Sequence, residues 1–189
     1  MTFNPLRHHR RSIRLKGYDY AEPGIYYVTL TAEHRAEIFG RILKSQVQLS
    51  AIGKIVRDEW LRTPMIRPGV ELDEYVIMPD HVHGLIVICE ERNGVTRRGE
   101  SLFAPTRLLN DRETPFRSPS RTLGAIIRGF KGATTKRINE LCCTPGVKVW
   151  QRNYYEHIVR GEKDLLRIQR YIRENPLRLA ERFEIFNVR

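Results

Sequence analysis

The fold is decided by the stretch Glu74-Tyr-Val-Ile-Met-Pro-Asp-His-Val-His-Gly-Leu-Ile-Val-Ile88. β-Branched and apolar residues flank Pro79-Asp80, a pair typical of a tight turn, so the pattern predicts two adjacent strands. Strand side chains alternate between faces, so His81 and His83 leave one face and Val82 the other. This spacing predicts two imidazoles close enough to share a divalent metal ion. Two histidines on the surface or in packing would give the same pattern, and that alternative stays open.

Periodicity and turn residues predict the remaining elements outward from this hairpin. The predicted elements, in chain order, are strand Gly24–Ala32, an accessory hairpin of Ile38–Ile42 with Val47–Leu49, a helix capped by Ser50 and ending near Leu61, strands Val70–Met78 and His81–Ile88, helix Thr122–Ile138, strand Val147–Val159, helix Lys163–Asn175 and a short helix Pro176–Phe183. Pro176 is expected to end or interrupt the helix before it, because the residue preceding a proline avoids the α region.

This order of elements, β-α-β-β-α-β followed by a helix, predicts an α+β fold of the ferredoxin-like type. The same arrangement of an antiparallel sheet with helices on one face is found in RNA recognition modules. The second face of the sheet is expected to be free for chemistry or for a nucleic acid strand.

The charge of the chain favours a polyanionic partner. The formal net charge is +11, for which nucleic acid is the first interpretation and an anionic membrane surface the second. Residues 1–17 are predicted to be a basic arm, and residues 18–189 a single domain with a long polar loop at about 90–120. The basic residues of the arm are Arg7, Arg10, Arg11, Arg14 and Lys16.

Several classes of protein do not fit the sequence. No run of about 18 apolar residues is present, so no transmembrane helix is expected. The N-terminus lacks the apolar stretch of a signal peptide. The three cysteines, Cys89, Cys142 and Cys143, are odd in number and two are adjacent, which fits a reducing compartment rather than a disulfide framework. A cytoplasmic protein is therefore expected.

A second candidate group lies on the helix that begins near Lys163. Tyr171 and Asn175 are four residues apart and share one helical face, which Arg167 and Arg178 extend. Positive charge beside a phenol favours its phenolate, the form that attacks a phosphodiester. An asparagine amide oxygen is a neutral metal ligand. Asn175 before Pro176 is also typical of a helix N-cap, and Tyr171 taken alone is typical of an ordinary amphipathic helix.

Three ordered motifs resemble a known family. They are Tyr75-Val-Ile-Met-Pro-Asp-His-Val-His-Gly84, Val149-Trp-Gln-Arg-Asn-Tyr-Tyr-Glu-His-Ile-Val-Arg160 and Tyr171-Ile-Arg-Glu-Asn-Pro176. With the strand Gly24-Ile-Tyr-Tyr-Val-Thr-Leu-Thr31, they resemble the single-tyrosine HUH transposases of small insertion sequences. The resemblance is greater to the repeat-associated tyrosine transposases linked to repetitive extragenic palindromes, and it runs from about Arg11 to Phe183.

The resemblance implies a role for individual residues. His81, His83 and Asn175 would bind a divalent metal, Mg²⁺ or Mn²⁺, and Tyr171 on a C-terminal catalytic helix would be the nucleophile. Tyr154 and Tyr155 are rivals for that role, but we expect them to pack or to stack on DNA.

The substrate implied by the resemblance is single-stranded DNA beside hairpins of palindromic repeats, cleaved and rejoined through a 5′-phosphotyrosine. The protein would act as a monomer or a dimer. The residues expected to contact DNA are the five basic residues of the arm together with Arg128, Lys131 and Arg167. The alternatives are a non-catalytic nucleic-acid-binding module of RNA-recognition type and a nickase of the replication-initiator type.

Overall fold

The computed structural model describes residues 20, 22–92, 95–97 and 122–187. The predicted basic arm lies outside the described residues, as does most of the predicted loop at 90–120. The described elements, in chain order, are β1 Gly24–Thr31, β2 Gly40–Leu43, β3 Gln46–Leu49, α1 Ala51–Ile66, β4 Val70–Ile77, β5 His81–Ile88, β6 Glu90–Arg92, β7 Val95–Arg97, α2 Leu123–Cys142, β8 Tyr155–Ile158 and α3 Glu162–Asn187. A single 3-10 turn, Glu33–Arg35, follows β1.

The main sheet has four strands in the order β4-β5-β1-β8, and all neighbours are antiparallel. With α1 and α2 as the two crossovers, this is the ferredoxin-like arrangement, and it confirms the predicted α+β class. β2 pairs with β3 and β6 with β7, each as a separate hairpin. The second hairpin occupies the start of the segment that was predicted to be a loop.

One face of the sheet, here called the core face, is covered by α1 and α2. Alternate residues of β1 and β5, among them Val28 and Val82, are fully buried there against Trp60 and Phe130. Gly84 lies under the indole of Trp60, and a Cβ at this position would be 2.3 Å from its ring. The glycine of the His-Val-His-Gly motif is thus required by packing, because no larger residue fits under the tryptophan.

The opposite face, here called the site face, carries α3. Ile168 and Ile172 of this helix are buried against Ile25, Leu85 and Val87. The expectation that the second face is free is therefore wrong over this part of the sheet. The helical pattern of α3 was predicted, but the face on which it packs was not.

α3 continues without a break through Pro176, so the expected break and the separate short helix are wrong. A proline inside a helix removes one backbone hydrogen bond and crowds the carbonyl four residues earlier. Here Ile172 before the proline and Ala180 after it are both buried, so tertiary packing on both sides favours one helix. Asn175 is consequently a residue of the helix interior and not an N-cap.

The predicted strand Val147–Val159 is mostly irregular. Trp150 forms an isolated bridge to Ala32, and regular pairing resumes only in β8. Between them, the carbonyls of Gln151 and Asn153 accept hydrogen bonds from Lys131 and so do not join the ladder. The helix α1 ends at Ile66, beyond the end near Leu61 that the sequence predicts. In the described part of the chain, no helix is both long and apolar enough to cross a membrane.

Candidate active site

The two histidines of β5 lie side by side on the site face, at the start of this strand. The Nε2 atoms of His81 and His83 are 3.0 Å apart, and the ring centroids are 4.5 Å apart. His83 is buried, and His81 is partly exposed. The alternation of strand side chains thus brings both imidazoles to one point, as their spacing predicts.

Each imidazole is held at its other nitrogen. His81 Nδ1 contacts the Asp80 carboxylate, whose second oxygen accepts a hydrogen bond from Arg35 at 3.2 Å. His83 Nδ1 lies 2.8 Å from the Tyr27 hydroxyl and 2.9 Å from the Thr29 hydroxyl. Outer partners of this kind orient a metal-binding imidazole and set its tautomer.

The protonation states follow from burial. Burial, and then the neighbouring His81, lower the pKa of His83 to about 3, so this imidazole is neutral at neutral pH. Burial raises the pKa of Tyr27 to about 12, although the hydrogen bond from Thr29 opposes the shift. Tyr27 therefore remains a phenol that can donate or accept a hydrogen bond, and it is a poor nucleophile.

Tyr171 reaches this group from α3. Its ring centroid is 5.3 Å from that of His83 and 6.4 Å from that of Tyr27, and 37% of its surface is exposed. Two other side chains of α3 attach this part of the helix to β4. Gln169 donates to both oxygens of Asp73 at 3.1 Å, and Arg173 lies 3.2 Å from Glu74. Both acidic residues lie at the irregularity in the pairing of β4 with β5.

The two arginines predicted beside Tyr171 have different partners. The guanidinium carbon of Arg178 is 5.9 Å from the Tyr171 ring centroid, and this side chain also donates to Glu174 at 2.8 Å. Arg167, one turn before Tyr171, donates to Asp164 at 2.6 Å. Only Arg178 therefore lies directly over the ring in this conformation.

Two imidazole nitrogens 3.0 Å apart have the separation of adjacent ligands on an octahedral ion, about 3 Å when each metal–nitrogen bond is about 2.1 Å. A neutral His83 provides the lone pair that coordination needs. Within the described ranges, no group of three His, Cys, Asp or Glu residues could hold a metal ion. Any third protein ligand from these ranges would therefore be of another type.

Asn175, predicted as the third ligand, is buried one turn after Tyr171. Its amide makes no hydrogen bond to His81 or His83, the described residues with which it would share an ion. The two imidazoles fit as two ligands of a divalent cation.

The basic residues predicted on α2 lie on the other side of the sheet. Arg128 is exposed there. Lys131 donates to the carbonyls of Gln151 and Asn153 at 2.8 and 3.0 Å, and burial lowers its pKa to about 8. Lys131 thus holds the protein's own backbone, and its predicted contact with DNA has no support in this position. The five basic residues of the arm lie outside the described residues.

The adjacent tyrosines at the start of β8 point in opposite directions. Tyr154 packs against the core cluster, with the Lys131 ammonium 5.8 Å from its ring centroid. Tyr155 lies on the site face, where its ring centroid is 6.0 Å from that of Tyr27. Tyr155 is therefore a neighbour of the site, and Tyr154 is not.

Sequence reasoning missed Tyr27 and Thr29. It also missed the contact of the Asp80 carboxylate with Nδ1 of His81. Alternation in β1 places Tyr27 and Thr29 on one face, which was a usable signal. What was missing is the register, because only the pairing of Thr29 with His83 brings both hydroxyls to the imidazole.

Comparisons with known proteins agree with this description. No model of a known protein family matches the chain. An uncharacterised protein of Haemophilus influenzae is 40% identical over 178 residues, which cover 93% of this chain and 92% of the relative. Among solved structures, a REP-associated tyrosine transposase bound to a REP hairpin superimposes with a TM-score of 0.53 at 16% identity, over 87% of this chain and 73% of that one.

A protein of Deinococcus radiodurans has a TM-score of 0.41 at 19% identity, over 85% of this chain and 95% of that one. That score is too low to define a fold. The chain therefore belongs to the same family as the Haemophilus influenzae protein, and its fold is that of the REP-associated tyrosine transposases.

Proposed function

We propose that this protein is a transposase that cleaves and rejoins single-stranded DNA through Tyr171. The observation that carries the proposal is the approach of Tyr171 to His83, with 5.3 Å between their ring centroids. The two residues are far apart in sequence and belong to different elements. Their meeting on one face of the sheet supports a shared reaction centre better than any motif alone.

In the proposed reaction, the Tyr171 oxygen attacks the scissile phosphorus in line with the bond to the 3′ oxygen. A phosphorus–tyrosine bond forms, the bond to the 3′ oxygen breaks, and the phenol proton is transferred in net terms to that oxygen. The products are a 5′-phosphotyrosine and a 3′-hydroxyl strand. Because the new linkage retains the phosphodiester energy, a 3′-hydroxyl can reverse the step and join strands.

The residues around Tyr171 have separate roles in this proposal. His81 and His83 hold a divalent cation together with Asn175, and Asp80, Tyr27 and Thr29 keep the two imidazoles in place. When bound, such an ion supplies positive charge that polarises the scissile phosphate. Arg178 places a second positive charge beside the attacking ring.

A hairpin next to the cleaved strand is the proposed substrate. The solved structure with this fold is bound to a REP hairpin, and the net charge of +11 favours a nucleic acid partner. A non-catalytic module of RNA-recognition type is less well supported. Such modules stack bases on the open face of the sheet, and here α3 covers that face at Leu85 and Val87.

The nucleophile can be tested by covalent capture. We expect Tyr171→Phe to abolish adducts between the protein and single-stranded hairpin oligonucleotides on denaturing gels, because phenylalanine lacks the attacking oxygen. Tyr154→Phe and Tyr155→Phe are matched controls and should retain adduct formation. Adducts that persist in Tyr171→Phe and vanish in either control would assign the nucleophile to that residue instead.

The metal can be tested separately. We expect His83→Ala and chelation by EDTA each to remove cleavage, while affinity for DNA falls little because backbone contacts carry most of it. Binding by fluorescence anisotropy and cleavage on gels would be measured on the same samples. Cleavage that survives chelation would leave the histidines with a packing role only.

A further inference from the structure

We infer that the outer edge of β8, centred on Tyr155, binds an unpaired nucleobase of the strand that enters the site. This inference rests on the proposed function for the position of the strand, and it adds a contact that the reaction itself does not need. Tyr155 is 47% exposed, which is unusual for a large aromatic side chain beside a buried cluster. Its ring contacts Tyr27, which is bonded to His83.

The place of Tyr155 in the sheet explains its exposure. β8 pairs only with β1 among the strands that the structure describes, so it is an edge strand. Tyr155 is paired with Thr29 across the sheet and shares the site face with it. The helix α3 packs through Ile168 and Ile172 over β1 and β5. An aromatic surface therefore stays open between the site and the edge.

The charges around this surface fit a nucleic acid strand. Arg152 and Arg160 lie on either side of β8, both are exposed, and neither forms an ion pair within the residues that the structure describes. The acidic residue of the strand, Glu156, is buried on the core face. An exposed ring on a strand that two exposed arginines flank in sequence can stack on a base, and the arginines are then available to contact neighbouring phosphates.

This chemistry selects unpaired nucleotides. The faces of bases inside a duplex are already stacked on each other, so an isolated tyrosine side chain can stack only on a base outside the helix. Tyr155 is thus expected to read the single-stranded flank and not the hairpin stem. Its neighbour Tyr154, packed under Lys131 on the other side, takes no part.

The test uses binding without cleavage, in a Tyr171→Phe background. Hairpin oligonucleotides carry 2-aminopurine at one unpaired position at a time, and its fluorescence is quenched when an aromatic ring stacks on it. We expect quenching at one or two positions near the cleavage point. Tyr155→Leu should lose the quenching there and weaken binding about 5- to 150-fold, the range expected for one base–aromatic stack. Tyr155→Phe should keep both.

Leu166→Ala is the control, because Leu166 is exposed to a similar extent, 54%, on α3; it should change neither quantity. Unchanged quenching and affinity in Tyr155→Leu would overturn the inference, and so would equal loss in Tyr155→Phe, which would assign the contact to the hydroxyl. If the protein with Tyr171 intact never forms adducts, quenching that depends on Tyr155 would keep the surface and reject the proposed cleavage.

Discussion

At the scale of single residues, the site depends on how one buried imidazole is held. His83 Nδ1 has two hydroxyl neighbours, Tyr27 at 2.8 Å and Thr29 at 2.9 Å. Either hydroxyl alone can satisfy the nitrogen. Loss of both leaves a buried polar atom without a partner, which costs about 1–3 kcal/mol.

We therefore expect the effects of Tyr27→Phe and Thr29→Val on the free energy of unfolding to be non-additive. Each single variant should lose about 1 kcal/mol, and the double variant should lose about 1 kcal/mol or more beyond the sum. Urea unfolding at pH 7 measures all three variants. Tyr155→Phe, which removes a nearby hydroxyl that makes no hydrogen bond to His83, is the control. Strict additivity would mean that the two hydroxyls do not share the imidazole.

The histidine pair could be predicted from sequence because it depends only on the alternation of one strand. The hydroxyl pair could not, because it depends on the register between β1 and β5. The same holds for the approach of Tyr171 to His83. These residues belong to different elements, and the sequence pattern does not decide on which face of the sheet α3 packs.

At the scale of elements, the structure ties the first turn of α3 to the edge strand β8 through one carboxylate. Asp164 accepts from His157 at 2.7 Å and from Arg167 at 2.6 Å. Partial burial acts to raise the pKa of Asp164, but the hydrogen bonds from His157 and Arg167 outweigh it and hold the pKa below the ordinary value of 3.8. The folded protein thus binds this proton less readily than the unfolded chain.

The contribution of Asp164 to the free energy of unfolding depends on pH. Where the unfolded state binds more protons, stability rises with pH, so this contribution is present above about pH 4 and is lost as the pH falls through the lowered pKa. We expect Asp164→Asn to be less stable than wild type at pH 7, and we expect this difference to be smaller at pH 3. Urea unfolding at both pH values tests this. Glu162→Gln, an exposed carboxylate of the same turn, should show little effect at either.

The elements that were predicted well are those with strong local patterns. β1, β4 and β5 are continuous apolar or alternating runs between turn residues, and the Ser50 side chain accepts from the Gly53 backbone as an N-cap should. The errors lie where distant contacts override a local preference. Pro176 lies inside a helix because residues on both sides of it are buried. The predicted strand Val147–Val159 is interrupted where the carbonyls of Gln151 and Asn153 accept hydrogen bonds from Lys131.

At the scale of the whole molecule, positive charge is spread unevenly along the chain. The net charge is +11 over 189 residues, while most of the acidic residues named at the site are already paired with arginine or histidine. The first 16 residues contain five Arg and Lys residues and no acidic residue. If this segment contacts phosphates, it should add affinity without adding specificity for sequence.

Deletion of residues 1–16 tests that role of the basic arm. Binding of single strands weakens with salt by a slope of about −0.7 per neutralised phosphate, so removal of five cations should flatten the slope by up to about 3.5. The full chain and the truncated chain would be titrated with salt on a DNA hairpin with a single-stranded 5′ flank, a plain duplex and an RNA of the same sequence. We expect the flanked DNA hairpin to bind best and the truncated chain to bind more weakly at low salt. An unchanged slope would mean that the arm does not contact phosphates. RNA binding at least as tight as DNA binding, without DNA cleavage, would favour the RNA-recognition alternative.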